Sequence, residues 1–487
     1  MSKPTAPTPP AAGNGGSPAG GSSGAAPACC PTDFVLTPCR IMKVGGTLQI
    51  SASELDGFAA GTYEWTTSSA KIRLTNPNSS TVTVEALANP SASRDAEVIT
   101  VKRTTAGCSP VTKTANVTVA KVTFSQAAGA KNKFGYDNFD TPADTLDDHI
   151  CVKKSDRTEL HVEITGGATG GDFNFVCDDP AICLPSVPGP TASFDLTLNA
   201  GAQDKAETTL HAKSKCPSAE SFTQIKVHVY KEKVVEVVVA KFDATTAGTN
   251  LNYPTADYAA HATPANDKLK EAVVRYDITN FDAANAVTPV VLAGGGSTVT
   301  YDIAAGGGVD LTAIGAAMTG TGTKVRVAII RAMKSVYYLS ADAAVGATTL
   351  TVTAGSTFFQ VGRTPPLGTG ATRENITITA LAGNTITCAP LTNAHLTGET
   401  LEFNAAGWSS DPILIIEGNA TLDVTKWTVL HEVGHRALTL KDIIDTTDFM
   451  HFSQAWTDYR LRYCPRTKNY PAGTTDTENQ WETIPRT

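Results

Sequence analysis

The chain has 487 residues, 18% of them charged, with a net charge of −8 and frequent Gly, Ala, Thr, Ser and Val. This length exceeds one ordinary core and calls for several domains, and the composition favours β-rich modules over helical bundles. No basic block marks a nucleic-acid or anionic-lipid partner, and no run of 18 apolar residues marks a membrane span.

Residues 1–28, MSKPTAPTPPAAGNGGSPAGGSSGAAPA, carry one lysine and no apolar stretch behind it, so they do not read as a secretory signal. Their Pro, Gly, Ser and Ala cannot build a core, and the segment is expected to be a disordered leader. Eight of the ten cysteines precede residue 220 and no CxxC pair occurs. Disulfides in an oxidising setting are therefore expected rather than a zinc ribbon. Cys177 and Cys183 bracket a short loop, and Cys151 and Cys216 bracket a module. Spacing alone does not give the connectivity, and reduced buried thiols are the alternative.

From residue 29 to 121 short runs alternate apolar and polar residues: TLQISAS, TYEWTT, KIRLT, STVTVEAL, AEVITVKR and TANVTVAKV. Gly, Pro, Asn and Ser punctuate them, as in an antiparallel sandwich. The stretch resembles the bacterial immunoglobulin-like modules of surface and secreted proteins. Cys39, Trp65 and Cys108 follow the immunoglobulin order of Cys, Trp, Cys. Because Cys108 lies in the turn-like AGCSP, a Cys39–Cys108 bond would be a peripheral staple, with Trp65 in the core. Residues 122–232 repeat the pattern in ELHVEIT, FNFVC, SFDLTL, ETTLHAK and IKVHVY, which reads as a second sandwich of the same kind. VTVAKVTF hands one sandwich directly to the next, suggesting a rigid tandem. His161, His211 and His228 have no paired ligands here and read as surface or packing residues.

The character changes over residues 233–487. VVEVVVAKF, KVRVAIIRAM and ILIIEG are near-continuous apolar strands of the kind covered on both faces. Between the first two, Leu269, Ala272, Val273 and Tyr276 form a helical stripe, with Pro264 separating two pieces. Strand, helix, strand, strand and helix describe an α/β layer with a mixed sheet. Residues 340–403 interrupt it with short hairpins and a Gly-Asn turn, and are expected to be a β-rich insertion with a structural role. This piece resembles the small β modules of phage-tail and bacterial surface proteins.

WTVLHEVGHRALTLKD, residues 427–442, carries the chemistry. Thr425 is a candidate N-cap for a helix reaching about Thr439, with Trp427, Leu430, Gly434 and Ala437/Leu438 as its core stripe. His431 and His435 stand one turn apart and emerge from one face, so both imidazoles can bind one Zn²⁺. Glu432 is unsuited as a third ligand, but its carboxylate can take a proton from water activated by the ion. The plain alternative is an amphipathic helix with two exposed histidines.

His431, Glu432 and His435 resemble the start of the metzincin-type zinc metallopeptidase pattern, HExxHxxGxxH followed by a turn containing methionine. The match then departs, with Leu438 at the glycine position and Lys441 at the third ligand. One extra residue aligns LTLKD with the family's segment, placing Thr439 at the glycine and Asp442 at the ligand, as in some branches of the superfamily. Met450 falls near the methionine turn. His451 is the rival third ligand, Asp445 and Asp448 are weaker rivals, and Tyr459 and Tyr463 are candidates to polarise a carbonyl. A gluzincin arrangement would have to draw on Glu478 or Glu482. The resemblance implies that the strand before the helix, ILIIEG, pairs with an extended polypeptide substrate.

The expected architecture is therefore two all-β immunoglobulin-like sandwiches followed by an α/β metzincin-like domain with a β-rich insertion. The expected function is a zinc-dependent endopeptidase that its β modules attach to a surface or a particle outside the cell. The rival class is a non-catalytic structural or adhesive component of a phage tail, contractile secretion apparatus or cell surface. A latent form in which Cys29 or Cys30 blocks the metal is a minor variant of the first reading.

Overall fold

A computed structural model describes residues 30–31, 33–37, 40–55, 61–87, 89–91, 93–129, 134–137, 148–216, 221–243, 262–281, 287–292, 298–330, 332–353, 359, 361–403, 407–416, 422–442, 450 and 480–486. The leader 1–28 and Cys29, Cys39, Asp445, Asp448, His451, Tyr459, Tyr463 and Glu478 lie outside these residues. Two units emerge, residues 1–121 with 216–218, and residues 122–215 with 219–487.

In the first unit the alternating runs become strands because one side of each is apolar. Thr47–Ser53 shows this most simply: Leu48, Ile50 and Ala52 are buried while their neighbours face outward. Val35–Leu36, Thr47–Ser53, Thr81–Ala86 and Ile72–Thr75 form one sheet in the order 35–36, 47–53, 81–86, 72–75. Thr62–Thr67, Glu97–Thr104, the beginning of Val111–Gln126 and Ile41–Lys43 form the other. Residues from both sheets make one core around Trp65, which is 2% exposed and donates its indole N–H to Ser79 O at 2.7 Å. Trp65 is thus a core residue, as expected. The disulfide differs from expectation, since Cys108 bonds Cys30 and not Cys39.

The second unit begins with a further β-sandwich. One sheet runs Phe173–Cys177, Ala206–Ser214, Ser221–Tyr230, Asp148–Lys153, Tyr136–Asp137. The other runs Cys183–Pro185, Ser193–Ala200, Arg157–Thr165 and the end of Val111–Gln126. Cys151 is a buried free thiol that donates to Glu271 O, while Cys216 is disulfide-bonded, so these two do not pair. Cys177 and Cys183 are free thiols in contact with each other.

Beyond residue 232 lies a mixed sheet in the order Val274–Asn280, Lys233–Asp243, Val325–Ile330, Ile413–Ile416, Gly407–Trp408. The first four strands are parallel and the last is antiparallel. Both faces are covered, which is why these strands are almost wholly apolar. Val238, Ala240, Ala328, Ile330 and Leu414 pack with Leu311, Ile314 and Met318 around the helix Val309–Ala317. The helix Leu422–Leu438 takes the opposite face, beside Ile415. Met333–Tyr338 leaves this sheet for a second one, in the order Val299–Asp302, Met333–Tyr338, Thr400–Phe403, Pro366–Leu367, Glu374–Asn375. The Ile378–Ala382 and Thr385–Cys388 hairpin forms around Gly383 and Asn384, with Gly383 at φ 57°.

Three expectations change. The stripe after Pro264 is not one helix: Ala262–Leu269 is followed by a short 3₁₀ turn, and Val273 at φ 55° ends it. Tyr276 therefore lies in a strand, and Pro264 sits in the first helical turn, where its missing N–H is harmless. The motif helix starts at Leu422, so Thr425 lies inside it and is not its cap. Ile413–Ile416 is an interior strand, flanked by Val325–Ile330 and Gly407–Trp408, and cannot offer a free edge to a substrate.

Trp65→Ala should destabilise the first sandwich by about 3–5 kcal/mol, as for large aromatic truncations. Urea unfolding followed by circular dichroism measures this, and an unchanged midpoint would contradict the packing described.

Candidate metal centre

The helix Leu422–Leu438 brings the motif together. Residues 427–434 are all buried, so the middle of the helix is enclosed on every side and exposure begins only at Arg436. His431 is 3% exposed and His435 is partly buried beside it, with ring centroids 4.7 Å apart and planes nearly perpendicular. The helix then stops, and Thr439 takes a left-handed backbone with φ 58°. A β-branched residue resists that conformation. Thr439 nonetheless adopts it, with the one proton of its hydroxyl shared between Leu438 O at 2.7 Å and Thr483 O at 3.3 Å. The reversal lets Leu440 N–H reach Gly434 O at 3.3 Å and sets Leu440 O 2.7 Å from His435 Nδ1. Lys441 faces solvent and Asp442 turns inward.

Three donor atoms converge as a result. His431 Nε2 and His435 Nε2 are 3.1 Å apart, and Asp442 Oδ1 lies 3.3 Å from each. A tetrahedral ion with ligands at about 2.0–2.1 Å has ligand–ligand edges of roughly 3.3–3.4 Å. The triangle therefore fits one face of such a site. Among the described residues, these three form the group of His, Cys, Asp and Glu able to hold an ion. The Leu440 carbonyl orients His435 through Nδ1, leaving Nε2 to face the other donors.

Glu432 is 7% exposed and packs against the edge strand: a Cβ added at Gly407 would lie 3.1 Å from its Cγ. Burial raises the carboxyl of Glu432, opposed by His431 and His435. Tyr301, 6% exposed, stacks on Trp408 at 4.9 Å, and its hydroxyl is pushed up by burial, with the Glu432 charge adding to this. Gly407, Trp408 and Tyr301 carry no motif, and a two-residue strand leaves no periodic signal to read. Met450 is fully buried. Glu482 is not one of the converging donors, and its carboxylate accepts from Tyr230.

The other histidines have different surroundings. His228 is 1% exposed and stacks with His149 and Tyr230. His161 bonds Asp195 and Ser193, and His211 bonds Asp178 and Ser221. His395 is fully buried between Glu374 and Glu399 in the inserted module.

No protein-family model matches this sequence, and no characterised protein matches it. Similar solved structures include the insect immune protein hemolin, 11% identical with a TM-score of 0.18, over 43% of this chain and 49% of that one. The tandem Ig repeats of Dlar are 9% identical with a TM-score of 0.15, over 41% of this chain and 97% of that one. The I9–I11 tandem of titin is 12% identical with a TM-score of 0.15, over 43% and 71%. The chain thus spans about half the length of hemolin. Likeness this slight carries no argument, and the sandwiches rest on their own strand pairing. No helix among the described residues is long and apolar enough to cross a membrane.

In the metal-free chain, burial opposes charge on His435, but Asp442 overrides it and raises the imidazole to about 9. A raised pKa stabilises the fold fully below the ordinary value of 6.5, and the contribution fades as pH rises through about 9. Chelator-treated protein should therefore lose thermal stability between pH 6.5 and 9. Asp442→Asn should remove that slope and bring the His435 ring resonance to titrate at or below 6.5 by NMR.

Proposed function

We propose that the chain is a zinc-dependent endopeptidase, with His431, His435 and Asp442 as metal ligands and Glu432 as general base. The observation that supports this reading is the triangle of donors, whose edges of 3.1, 3.3 and 3.3 Å suit a tetrahedral ion. Zinc held there would supply Lewis acidity towards a peptide carbonyl and towards water. Glu432 accepts the proton as the water oxygen attacks the carbonyl carbon, and delivers it to the amine nitrogen as the C–N bond breaks. Its raised pKa suits a group that must both take and return a proton.

The edge of the sheet serves the substrate. Among the described residues Gly407–Trp408 ends the strand order, and it lies against Glu432, so an extended peptide added there would present its amide to the site. Tyr301 and Trp408 form an aromatic shelf beside it. The β-sandwiches attach the protease to a surface, polymer or particle, outside the cell or on an exported assembly.

Native mass spectrometry tests the assignment. One zinc per chain is expected in wild type and in Glu432→Ala, with cleavage of an unfolded protein falling by about 10²–10⁴-fold in the variant. Asp442→Ala should lose the metal. Wild type without stoichiometric zinc sinks the proposal. Zinc kept by Asp442→Ala but lost by His451→Ala moves the third ligand. Zinc without cleavage favours the non-catalytic, structural class.

A further inference from the structure

Six described non-glycine residues have a left-handed backbone, and two of them, Val273 at φ 55° and Thr439 at φ 58°, are β-branched. This is the least favourable side chain for that conformation, so something outside each turn must hold it. One segment, residues 480–486, touches both. Arg486 donates through Nη2 to Ala272 O at 2.7 Å, and through Nη1 to Val273 O at 3.3 Å and Lys231 O at 2.9 Å. Thr483 O accepts the hydroxyl of Thr439 at 3.3 Å.

The segment is itself anchored firmly. Trp481 is 1% exposed, Ile484 is fully buried and Arg486 is 4% exposed. The Arg486 guanidinium lies 4.1 Å over the Tyr230 ring, while Glu482 accepts the Tyr230 hydroxyl. Trp481 meets His228 edge to face at 6.2 Å, and Gly135 leaves it room, since a Cβ there would come within 2.8 Å of its ring. A guanidinium bound to backbone carbonyls on two sides is a fixed fork that costs several hydrogen bonds to remove.

We propose that residues 480–486 act as a clasp that holds the left-handed turn at Thr439 and so sets Asp442 against His431 and His435. The inference rests on the reading of these three residues as zinc ligands. Thr439, Thr483 and Arg486 are positioning residues in this scheme. The clasp holds the turn, the turn brings Leu440 O to His435 and Asp442 to both imidazoles, and the donor triangle follows.

The test measures zinc affinity of the full chain by competition with a chromophoric chelator, alongside hydrogen exchange at the Leu440 amide. Arg486→Ala and a chain ending at residue 479 should bind zinc about tenfold more weakly and exchange Leu440 faster, with circular dichroism confirming the fold. Adding Thr439→Gly, which accepts a left-handed backbone without strain, should recover most of the lost affinity and protection. Thr439→Val, which keeps the branch and loses the hydroxyl, should weaken binding in the otherwise unchanged chain. Folded variants with wild-type affinity and wild-type exchange overturn the clasp. So does a loss that Thr439→Gly fails to recover, since the segment would then act through general packing. If wild type binds no zinc, the metal reading falls, and the exchange at Leu440 alone decides whether the clasp exists.

Discussion

The Asp442 carboxylate is the contact on which the site depends. Burial works against its charge, and two imidazoles at 3.3 Å override that and hold its pKa below the ordinary value. A charge in an enclosed place persists only where partners meet it. Here the partners stand on consecutive turns of one helix, so the carboxylate must come back over the helix end within seven residues of His435. That requirement explains the abrupt stop at Leu438, the left-handed Thr439 and the return of the Leu440 carbonyl to His435.

The sheet beneath supplies the rest of the geometry. Leu414 and Ile415 point to opposite faces of one strand, the first into the Val309–Ala317 layer and the second towards the motif helix. Gly407 on the neighbouring strand leaves space for Glu432, and Trp408 extends an aromatic series through Phe403 and Phe359 to Tyr337. The inserted module is thus joined to the edge strand beside the site through ring contacts as well as through the chain.

Much of this could be read from residue pattern because burial imposes simple periods. Thr47–Ser53 and Lys233–Asp243 announce themselves, one by alternation and the other by continuous apolar character. The HExxH spacing needs nothing but helical geometry to unite two imidazoles. What escaped has identifiable causes. The alignment puts Thr439 at the family's glycine, but a β-branched side chain argues against the left-handed backbone it adopts, so the residue alone does not reveal the turn. The stripe through Tyr276 mimicked a helix because Val273 ends the turn without a glycine. Gly407–Trp408 is too short to carry a period, so residue pattern points to its more apolar neighbour as the edge. The choice of Cys30 over Cys39 as partner of Cys108 depends on chain path, which spacing does not record.

The contacts of the segment 480–486 have a consequence for the order of events in synthesis. A nascent chain that has emerged as far as Asp442 already contains all three donors. It lacks the residues that engage Thr439, Val273 and Tyr230, which are translated about forty positions later. With the clasp in place, assembly of the centre becomes a late event that follows the docking of Trp481 and Arg486. A translation product cut short before that point would carry the complete motif and yet hold it more loosely, which separates possession of the ligands from a fixed arrangement of them.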